Sequence, residues 1–245
     1  MLSWRGAYSK GLVSLTVFSL MIFLLASPVA AGQTFRIEKA SKTYTLEVKI
    51  ARCEEDQTNG NCAGAATIGI YRKNEKTPFQ QLNLRRIEID REQLAYNPEL
   101  NKKPRKVYDD EYSFIFGDFN FDGNEDFAVC NGREGGYGAP SYNVYIFNAN
   151  TGKFAENRSL SRLTIGYLGL FFVDAKTKQL IALSKSGCCY HETQKYKVVN
   201  DRPVLVEKII EDASGPEDYV VVTTMRLVNG RWIKSVKKEK MKPEN

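Results

Sequence analysis

The feature that most constrains the fold is an acidic segment, GDFNFDGNEDFAV at residues 117–129, which lies between two apolar runs. Residues 109–126 include seven acidic side chains and no basic one. Carboxylates at that density repel one another, so the fold must supply a compensating charge or leave the segment in water. The runs YSFIFG and FAVCNG on either side are rich in aromatic and aliphatic residues, as strands are. The sequence therefore predicts two strands joined by an acidic loop.

The oxygen-bearing side chains of this loop have the spacing of a calcium loop. Counted from Asp118, they fall at positions 1, 3, 5 and 9, and Gly123 is at position 6, where a sharp turn is needed. Position 12 is Val129 rather than the Glu of helix–loop–helix calcium loops, and the flanks predict strands instead of helices. The alternative is a solvated acidic turn without metal. The predicted calcium ligands are Asp118, Asn120, Asp122, Asp126 and the backbone carbonyl of Asn124.

Residues 1–31 predict a secretory signal peptide. Arg5 and Lys10 give a positive start, residues 12–26 form an apolar run of 15 residues, and SPVAA then ends in small residues. A membrane anchor is the alternative, but the run is shorter than the roughly 20 residues that a spanning helix needs. We therefore expect an exported chain of residues 32–245, periplasmic or extracellular, with no membrane span after cleavage.

The charge of the chain does not point to nucleic acid. The formal net charge of +6 falls to +4 without the two basic residues of the signal peptide, which is mild. Export also makes nucleic acid an unexpected partner. The remaining length suits one domain that buries a sizeable core. We predict a single all-β domain, with N-terminal strands and a connection at 32–106 and a calcium-loop and hairpin region at 107–245.

Strand signals dominate the predicted domain. TFRIEKA, YTLEVKIARC, ATIGIYRK and FQQLNLRRIEID alternate or are rich in β-branched and aromatic residues. Hairpin turns follow at residues 150–152, near Thr177, at Asn200 and Asp201, and at the Asn229–Gly230 pair. The regular spacing of these turns is a weak internal repeat, which predicts an irregular β-propeller-like array of antiparallel hairpins. A β-sandwich of hairpins is the alternative.

The five cysteines permit disulfides in an exported chain. Cys53 and Cys62 flank the polar stretch EEDQTNGN, whose ends should lie close together, and form the best predicted pair. Cys188 and Cys189 are adjacent, and either bond to each other or leave one to pair with Cys130. A zinc site is disfavoured, because the chain has no C-x-x-C pair and a single His.

A glycine-rich loop follows the acidic segment. Gly132, Gly135, Gly136 and Gly138 surround Tyr137 in NGREGGYGAP. A phosphate cradle is excluded, because no strand-to-helix transition and no nearby Lys match one. Two interpretations remain: a plain loop in which glycines supply positive φ, and a rigid tip that presents Tyr137 to another protein's cleft above a calcium-stabilised base. Tyr offers a large contact area and a hydroxyl at low entropic cost.

The segment SKSGCCYHETQKY contains the only His of the chain, His191. A Cys–His nucleophile is one interpretation, but adjacent cysteines in an oxidising compartment are expected to be bonded, and Cys189 and His191 alternate along a predicted strand. The plain interpretation is a strand end with a disulfide and a surface His. We rank Ser186 and Tyr190 here as second-choice partner-binding residues, after Gly135, Gly136, Tyr137 and Gly138.

These motifs together carry a resemblance. FIFGDFNFDGNEDFAV is similar to the strand-flanked calcium loop of FG-GAP and VCBS β-propeller repeats. With EGGYGAPSYNVYIF and SGCCYHETQKY, over roughly residues 110–210, the chain resembles a family of exported bacterial proteins with an irregular β-propeller-like fold and one calcium loop. One member is the periplasmic immunity protein against a lysozyme-like effector of a Xanthomonas type IV secretion system.

The resemblance implies a binding protein rather than an enzyme. It implies a protein partner, a peptidoglycan hydrolase of the lysozyme type, whose cleft receives a loop of the inhibitor. By residue type, the loop at Tyr137 is our first choice for that role. Because many lysozymes are basic, the acidity of residues 109–126 suits such a target better than the overall charge does. The alternative is a calcium-stabilised envelope scaffold or adhesion module. A hydrolase is the weakest hypothesis, since the sequence offers no carboxylate pair or triad.

Overall fold

The computed structural model describes residues 32–55, 61–100, 105–107, 111–215 and 218–240. The predicted signal peptide lies outside these ranges, as do Asp109 and Asp110 of the acidic run. Within them the chain forms sixteen strands, two short 3-10 turns and one helix of four residues, α1 (Arg158–Ser161). The all-β prediction is therefore correct. None of the helical segments in this part of the chain has the length and apolar character needed to cross a bilayer.

The first sheet is antiparallel and consists of β1 (Gln33–Ile37), β2 (Tyr44–Ile50), β3 (Glu54–Glu55), β4 (Cys62–Arg72) and β5 (Gln80–Ile89). β4 is central and pairs with β2, β3 and β5, while β1 pairs with the other edge of β2. In β2 the residues Tyr44, Leu46, Val48 and Ile50 alternate and are all buried. This period of two places one face of the sheet against a core.

The second sheet consists of β6 (Ala95–Tyr96), β7 (Phe114–Gly117), β8 (Asp126–Gly132), β9 (Ser141–Asn148) and β10 (Lys153–Glu156). Its order is β10-β9-β8-β7-β6, and only the β6–β7 pair among these is parallel. Both faces are buried. Phe127 and Val129 of β8 belong to a core shared with the first sheet, while Ala128 and Cys130 belong to a second core on the opposite face.

The third sheet is an antiparallel meander of β11 (Phe172–Asp174), β12 (Gln179–Ser186), β13 (Tyr190–Val199), β14 (Arg202–Asp212), β15 (Tyr219–Val228) and β16 (Arg231–Lys240). Its early strands contribute Leu180, Ala182 and Tyr196 to the second core. Burial decreases along the meander, and every residue of β16 is exposed. The second sheet is thus the central layer, covered on one face by the first sheet and on the other by the start of the third.

The predicted hairpin turns are all present. They connect β9 to β10, β11 to β12, β13 to β14 and β15 to β16. Asn229 and Gly230 both have positive φ, 50° and 77°, as a tight hairpin of this type requires. The predicted propeller-like closure is not found in the described ranges, where none of the three sheets closes on itself. The last three hairpins extend side by side in one meander, because β11 to β16 pair in chain order, whereas the β9–β10 hairpin belongs to the second sheet.

Two disulfides are present in the described residues. One joins Cys53 to Cys62 at the start of β4, where both cysteines are buried. The other joins the neighbours Cys188 and Cys189 in the turn between β12 and β13. Cys130 is a free, buried thiol, and burial raises its pKa to about 12. The pairing that the sequence left open, between Cys130 and one of the adjacent cysteines, is therefore not formed.

Candidate functional site

The acidic loop joins β7 to β8, as the sequence predicts, and turns sharply. Gly123 has a φ of +88°, so position 6 has the conformation that glycine tolerates best. Both carboxylate oxygens of Asp118 accept backbone N–H groups, from Asp122 at 3.0 Å and from Gly123 at 2.9 Å. Burial raises the pKa of Asp118, and these hydrogen bonds lower it. The Asp118 carboxylate thereby holds the start of the loop to its turn at Asp122 and Gly123.

Asp126 is the only fully buried carboxylate among the predicted ligands in the structure. Its two oxygens accept the backbone N–H groups of Phe119 at 2.8 Å and of Phe147 at 2.9 Å, which ties the loop to β9. Burial raises the pKa of Asp126 to about 8, the two hydrogen bonds oppose that rise, and the nearby charges of Asp122 and Asp118 add to it. The surroundings of Asp126 therefore stabilise the charged form of its carboxyl group poorly.

The donor set of this loop fits calcium in its chemistry. Calcium prefers hard oxygen ligands, and each carboxylate here has lone pairs beyond the hydrogen bonds that it accepts. A dication would also favour the charged form of Asp126, whose pKa is raised mainly by burial and further by repulsion from Asp122 and Asp118. Within the ranges that the structure describes, no three Asp, Glu, His or Cys side chains converge as a ready metal site. The calcium ligands therefore remain a prediction.

The middle of the loop makes polar contacts of its own. The side-chain amide of Asn120 donates to Asp122 Oδ2 at 3.1 Å and to Asp201 Oδ1 at 2.9 Å. Asn124 donates its backbone N–H to Asp122 Oδ1 at 2.7 Å. Because Asp201 lies in the turn after β13, the loop contacts the third sheet at one end of that strand.

Glu125 was not predicted as a site residue, yet it ties the loop to the first sheet. Its carboxylate accepts a short hydrogen bond from Ser41 Oγ, and another from Asn97 Nδ2 at 2.7 Å. The backbone N–H of Lys42 is 3.4 Å from the same group. These partners are far away in sequence, so no local pattern could have indicated the role of Glu125.

The glycine-rich loop is a compact 3-10 turn, Gly136–Gly138, between β8 and β9. Tyr137 has φ 58° and ψ 29°, a left-handed conformation that few residues other than glycine and asparagine adopt. The backbone N–H of Gly135 donates to the carbonyl of Ala139 at 2.9 Å and closes the turn. A bulky residue held in such a conformation by its surroundings is typical of functional sites.

Two of the predicted glycines, Gly135 and Gly136, are required by close packing, whereas Gly138 supplies a positive φ of 74°. A Cβ atom at Gly135 would lie 2.5 Å from the carbonyl oxygen of Ala139 and 2.7 Å from that of Tyr167. One at Gly136 would lie 2.9 Å from the carbonyl oxygen of Gly166. The N–H of Gly136 donates to the Tyr167 carbonyl at 2.7 Å. The loop is therefore locked against the connection between β10 and β11.

Tyr137 contacts the second predicted partner-binding segment. Its hydroxyl accepts the backbone N–H of Gly187 at 2.5 Å, and Lys185 Nζ lies 4.7 Å from its ring centroid. Gly187 is in the turn that separates the paired residues Ser186 and Tyr190. The Tyr137 side chain nevertheless remains 65% exposed. We call Tyr137, Lys185, Ser186, Gly187 and Tyr190, together with the glycines at 135, 136 and 138, the Tyr137 surface.

A small pocket of about 70 Å³ adjoins the Tyr137 surface. Arg105 lines it, with its guanidinium 4.5 Å from the ring centroid of Phe172 and a hydrogen bond to the Phe171 carbonyl at 2.8 Å. Lys106 lines the same pocket, and Lys185 covers the Tyr137 ring. No sequence motif had indicated a role for these basic residues.

The acidic loop and the Tyr137 surface lie at opposite ends of the same strands. β8 begins at Asp126 and ends at Gly132, about 20 Å at ~3.3 Å per residue. The acidic loop contacts the turn after β13, whereas Tyr137 contacts the turn before it. The acidic loop is therefore not the base that holds Tyr137. Asp118, Asp122, Glu125 and Asp126 lie at the other end of β8, whereas Glu111 lines the pocket beside Tyr137.

The Cys–His interpretation finds no support in the geometry. Cys188 and Cys189 are bonded to each other, so neither is a free thiol. His191 is exposed on β13 and is paired in register with Lys185 of β12. This agrees with the plain interpretation of the segment as a strand end with a disulfide and a surface His.

Comparisons with known proteins give one structural likeness. No protein-family model matches the chain, and no curated protein matches it. The fold is similar to a solved structure described as a Xanthomonas type IV secretion system related protein, with a TM-score of 0.65 and 25% sequence identity. The alignment covers 83% of this chain and 98% of that chain. The likeness supports the Xanthomonas secretion context of the resemblance, while the calcium-loop propeller family has no support from a family model.

Proposed function

We propose that the chain is an exported, non-enzymatic protein that binds a protein partner through the Tyr137 surface. The observation that carries the proposal is the contact between segments 135–138 and 186–190. Each of them is, from its sequence alone, an independent partner-binding candidate. The similarity to a protein related to a type IV secretion system supports a role in that context. The partner proposed is a lysozyme-like peptidoglycan hydrolase, which the chain inhibits as an immunity protein.

The shape of the Tyr137 surface suits insertion into a cleft. Tyr137 projects from a turn in which Gly135 and Gly136 pack too closely for side chains, so the tip is narrow and stiff. A side chain ordered before binding loses little conformational entropy on association. Its hydroxyl accepts the Gly187 N–H and keeps its own proton to donate to a partner. Lys185 lies over its ring, and Arg105 and Lys106 line the adjoining pocket together with Glu111. This excess of positive charge suits an acidic cleft.

The proposed calcium is structural. Asp118, Asn120, Asp122, Asp126 and the Asn124 carbonyl would hold it, and it would supply positive charge at a loop that has an excess of carboxylates. The loop connects β7 to β8. It contacts the β1–β2 connection of the first sheet through Glu125 and the turn after β13 of the third sheet through Asn120. Stabilising this loop would hold the three sheets together at the end of the molecule far from Tyr137.

The test is inhibition of peptidoglycan hydrolysis. Residues 32–245 would be added to purified sacculi with each of a panel of lysozyme-like hydrolases, including one encoded beside the gene for this chain where such a gene exists. Tyr137→Ala should abolish inhibition. Tyr219→Ala is the matched control, because Tyr219 is also exposed and also lies under a lysine, with Lys238 Nζ 4.7 Å from its ring centroid. Absence of inhibition across the panel would overturn the immunity function.

A second candidate function is an envelope scaffold, and the edge strand β16 favours it. Trp232, Ile233 and Val236 are exposed there on a strand of ten residues. An open edge can accept another strand, although its lysines oppose pairing with a like-charged copy. Sedimentation with envelope extracts, compared between the wild type and Ile233→Lys, tests this function. Loss of sedimentation in the variant, with no hydrolase inhibited by the wild type, would favour the scaffold.

A further inference from the structure

The disulfide between Cys188 and Cys189 lies directly beside the contact that fixes Tyr137. Ser186 and Tyr190 are paired across a turn made of Gly187, Cys188 and Cys189. Gly187, which donates to the Tyr137 hydroxyl, has a φ of +65°. The far side of the turn is fixed separately, because the N–H of Ala213 donates to the Cys189 carbonyl at 2.8 Å. The only covalent constraint in this turn is the disulfide.

A disulfide between adjacent residues closes a small ring through their shared peptide bond. Such a ring restricts the backbone of both cysteines and removes most of the conformations open to an unbridged turn. Gly187 immediately precedes the ring and has no side chain to fix its own backbone. The direction of the Gly187 N–H is therefore set by the ring on one side and by the strand pair Ser186–Tyr190 on the other.

We infer that the Cys188–Cys189 disulfide positions Tyr137 by keeping the Gly187 N–H directed at its hydroxyl. Reduction would free the turn, release that hydrogen bond and loosen the Tyr137 surface. A dithiol reductant would do this by exchange: the S–S bond breaks, Cys188 and Cys189 become two thiols, and the reductant becomes a cyclic disulfide. Cys188 is exposed, whereas Cys53 and Cys62 are buried. Of these two disulfides, the one in the turn is therefore the one accessible to such a reagent. The consequence for partner binding rests on the proposed function.

The positioning itself can be tested without a partner. Amide hydrogen exchange at Gly187 would be measured by NMR in the wild type, in Cys188→Ser/Cys189→Ser and in Tyr137→Phe. We expect exchange about tenfold faster in both variants, the factor that corresponds to loss of one hydrogen bond. Combining Tyr137→Phe with the two serine substitutions should not increase the exchange rate further. The Leu168 amide, which donates to the Leu183 carbonyl at 2.7 Å, is the internal control and should not change. Unchanged exchange at Gly187 in the double-serine variant would overturn the inference.

The consequence for binding is tested with any hydrolase that the wild type inhibits. The double-serine variant should bind it about tenfold more weakly, and dithiothreitol should weaken the wild type but not the variant. Faster Gly187 exchange with unchanged affinity would overturn the role in partner binding. If the wild type inhibits no hydrolase, the proposed function fails, and the exchange experiment still decides whether the disulfide positions Tyr137.

Discussion

The two ends of β8 carry loops of opposite character. The acidic loop at residues 118–126 satisfies its first carboxylate from its own backbone, as Asp118 accepts the N–H groups of Asp122 and Gly123. The glycine loop at Gly136–Gly138 is held from outside, by the Tyr167 carbonyl on one side and by Gly187 on the other. The acidic loop is also tied to other segments, through Glu125 to Ser41 and through Asp126 to Phe147, so its carboxylates are used within the molecule, which suits a structural role. Tyr137 remains 65% exposed, so the glycine loop presents a surface.

The largest effect should come from the buried carboxylate of the acidic loop. Asp126→Ala leaves the N–H groups of Phe119 and Phe147 without an acceptor, so we expect a loss of about 3 kcal/mol in the free energy of unfolding. Urea denaturation measures it. Asp126→Asn keeps one acceptor and removes the charge, and should cost clearly less. Equal losses in the two variants would show that the charge, rather than the hydrogen bonds, fastens the loop.

Calcium should stabilise the acidic end by a similar amount. At ~100 times its dissociation constant, a ligand that binds only the folded state adds about 2.7 kcal/mol. For a domain of this size that is several degrees in the midpoint of thermal unfolding. We expect EDTA to lower the midpoint of the wild type and to leave Asp122→Ala unchanged. If calcium does not change the thermal midpoint of the wild type, the loop is a solvated acidic turn without metal.

The glycine end should be sensitive to a single methyl group. In Gly135→Ala the new Cβ would lie 2.5 Å from the Ala139 carbonyl oxygen, and we expect a loss of about 2 kcal/mol through overpacking. Gly215→Ala is the matched control, because a Cβ there meets nothing within 4 Å. Denaturation curves that coincide for the two variants would contradict the tight packing of this loop.

The smallest effect should come from the lysine over Tyr137. Lys185→Gln removes the ammonium 4.7 Å from the ring centroid, a contact worth about 0.5 kcal/mol at an exposed site. We expect little change in stability and a two- to threefold weaker association with an inhibited hydrolase, measured by calorimetry. Lys238→Gln, at the equivalent contact with Tyr219, should not alter the affinity.

The difference between the loops also explains what could be predicted from sequence. Strands and turns were predictable because they have local signals in the sequence. Examples are the recurrence of apolar residues at every second position in β2 and the Asn229–Gly230 pair at a hairpin turn. The acidic loop was predictable for the same reason. The layering of the sheets was not, because it depends on which face of β8 meets which core. Nor were the contacts of Glu125 with Ser41 and of Tyr137 with Gly187, since each joins segments far apart in the chain.

We propose that partner binding and structural stabilisation reside at opposite ends of the molecule. The most direct measurement compares inhibition of one hydrolase by Tyr137→Ala and by Asp122→Ala, each under conditions where unfolding curves show it to be folded. We expect Tyr137→Ala to lose inhibition while its stabilisation by calcium stays intact, and folded Asp122→Ala to inhibit like the wild type. Inhibition that survives in Tyr137→Ala, or that disappears in folded Asp122→Ala, would contradict it.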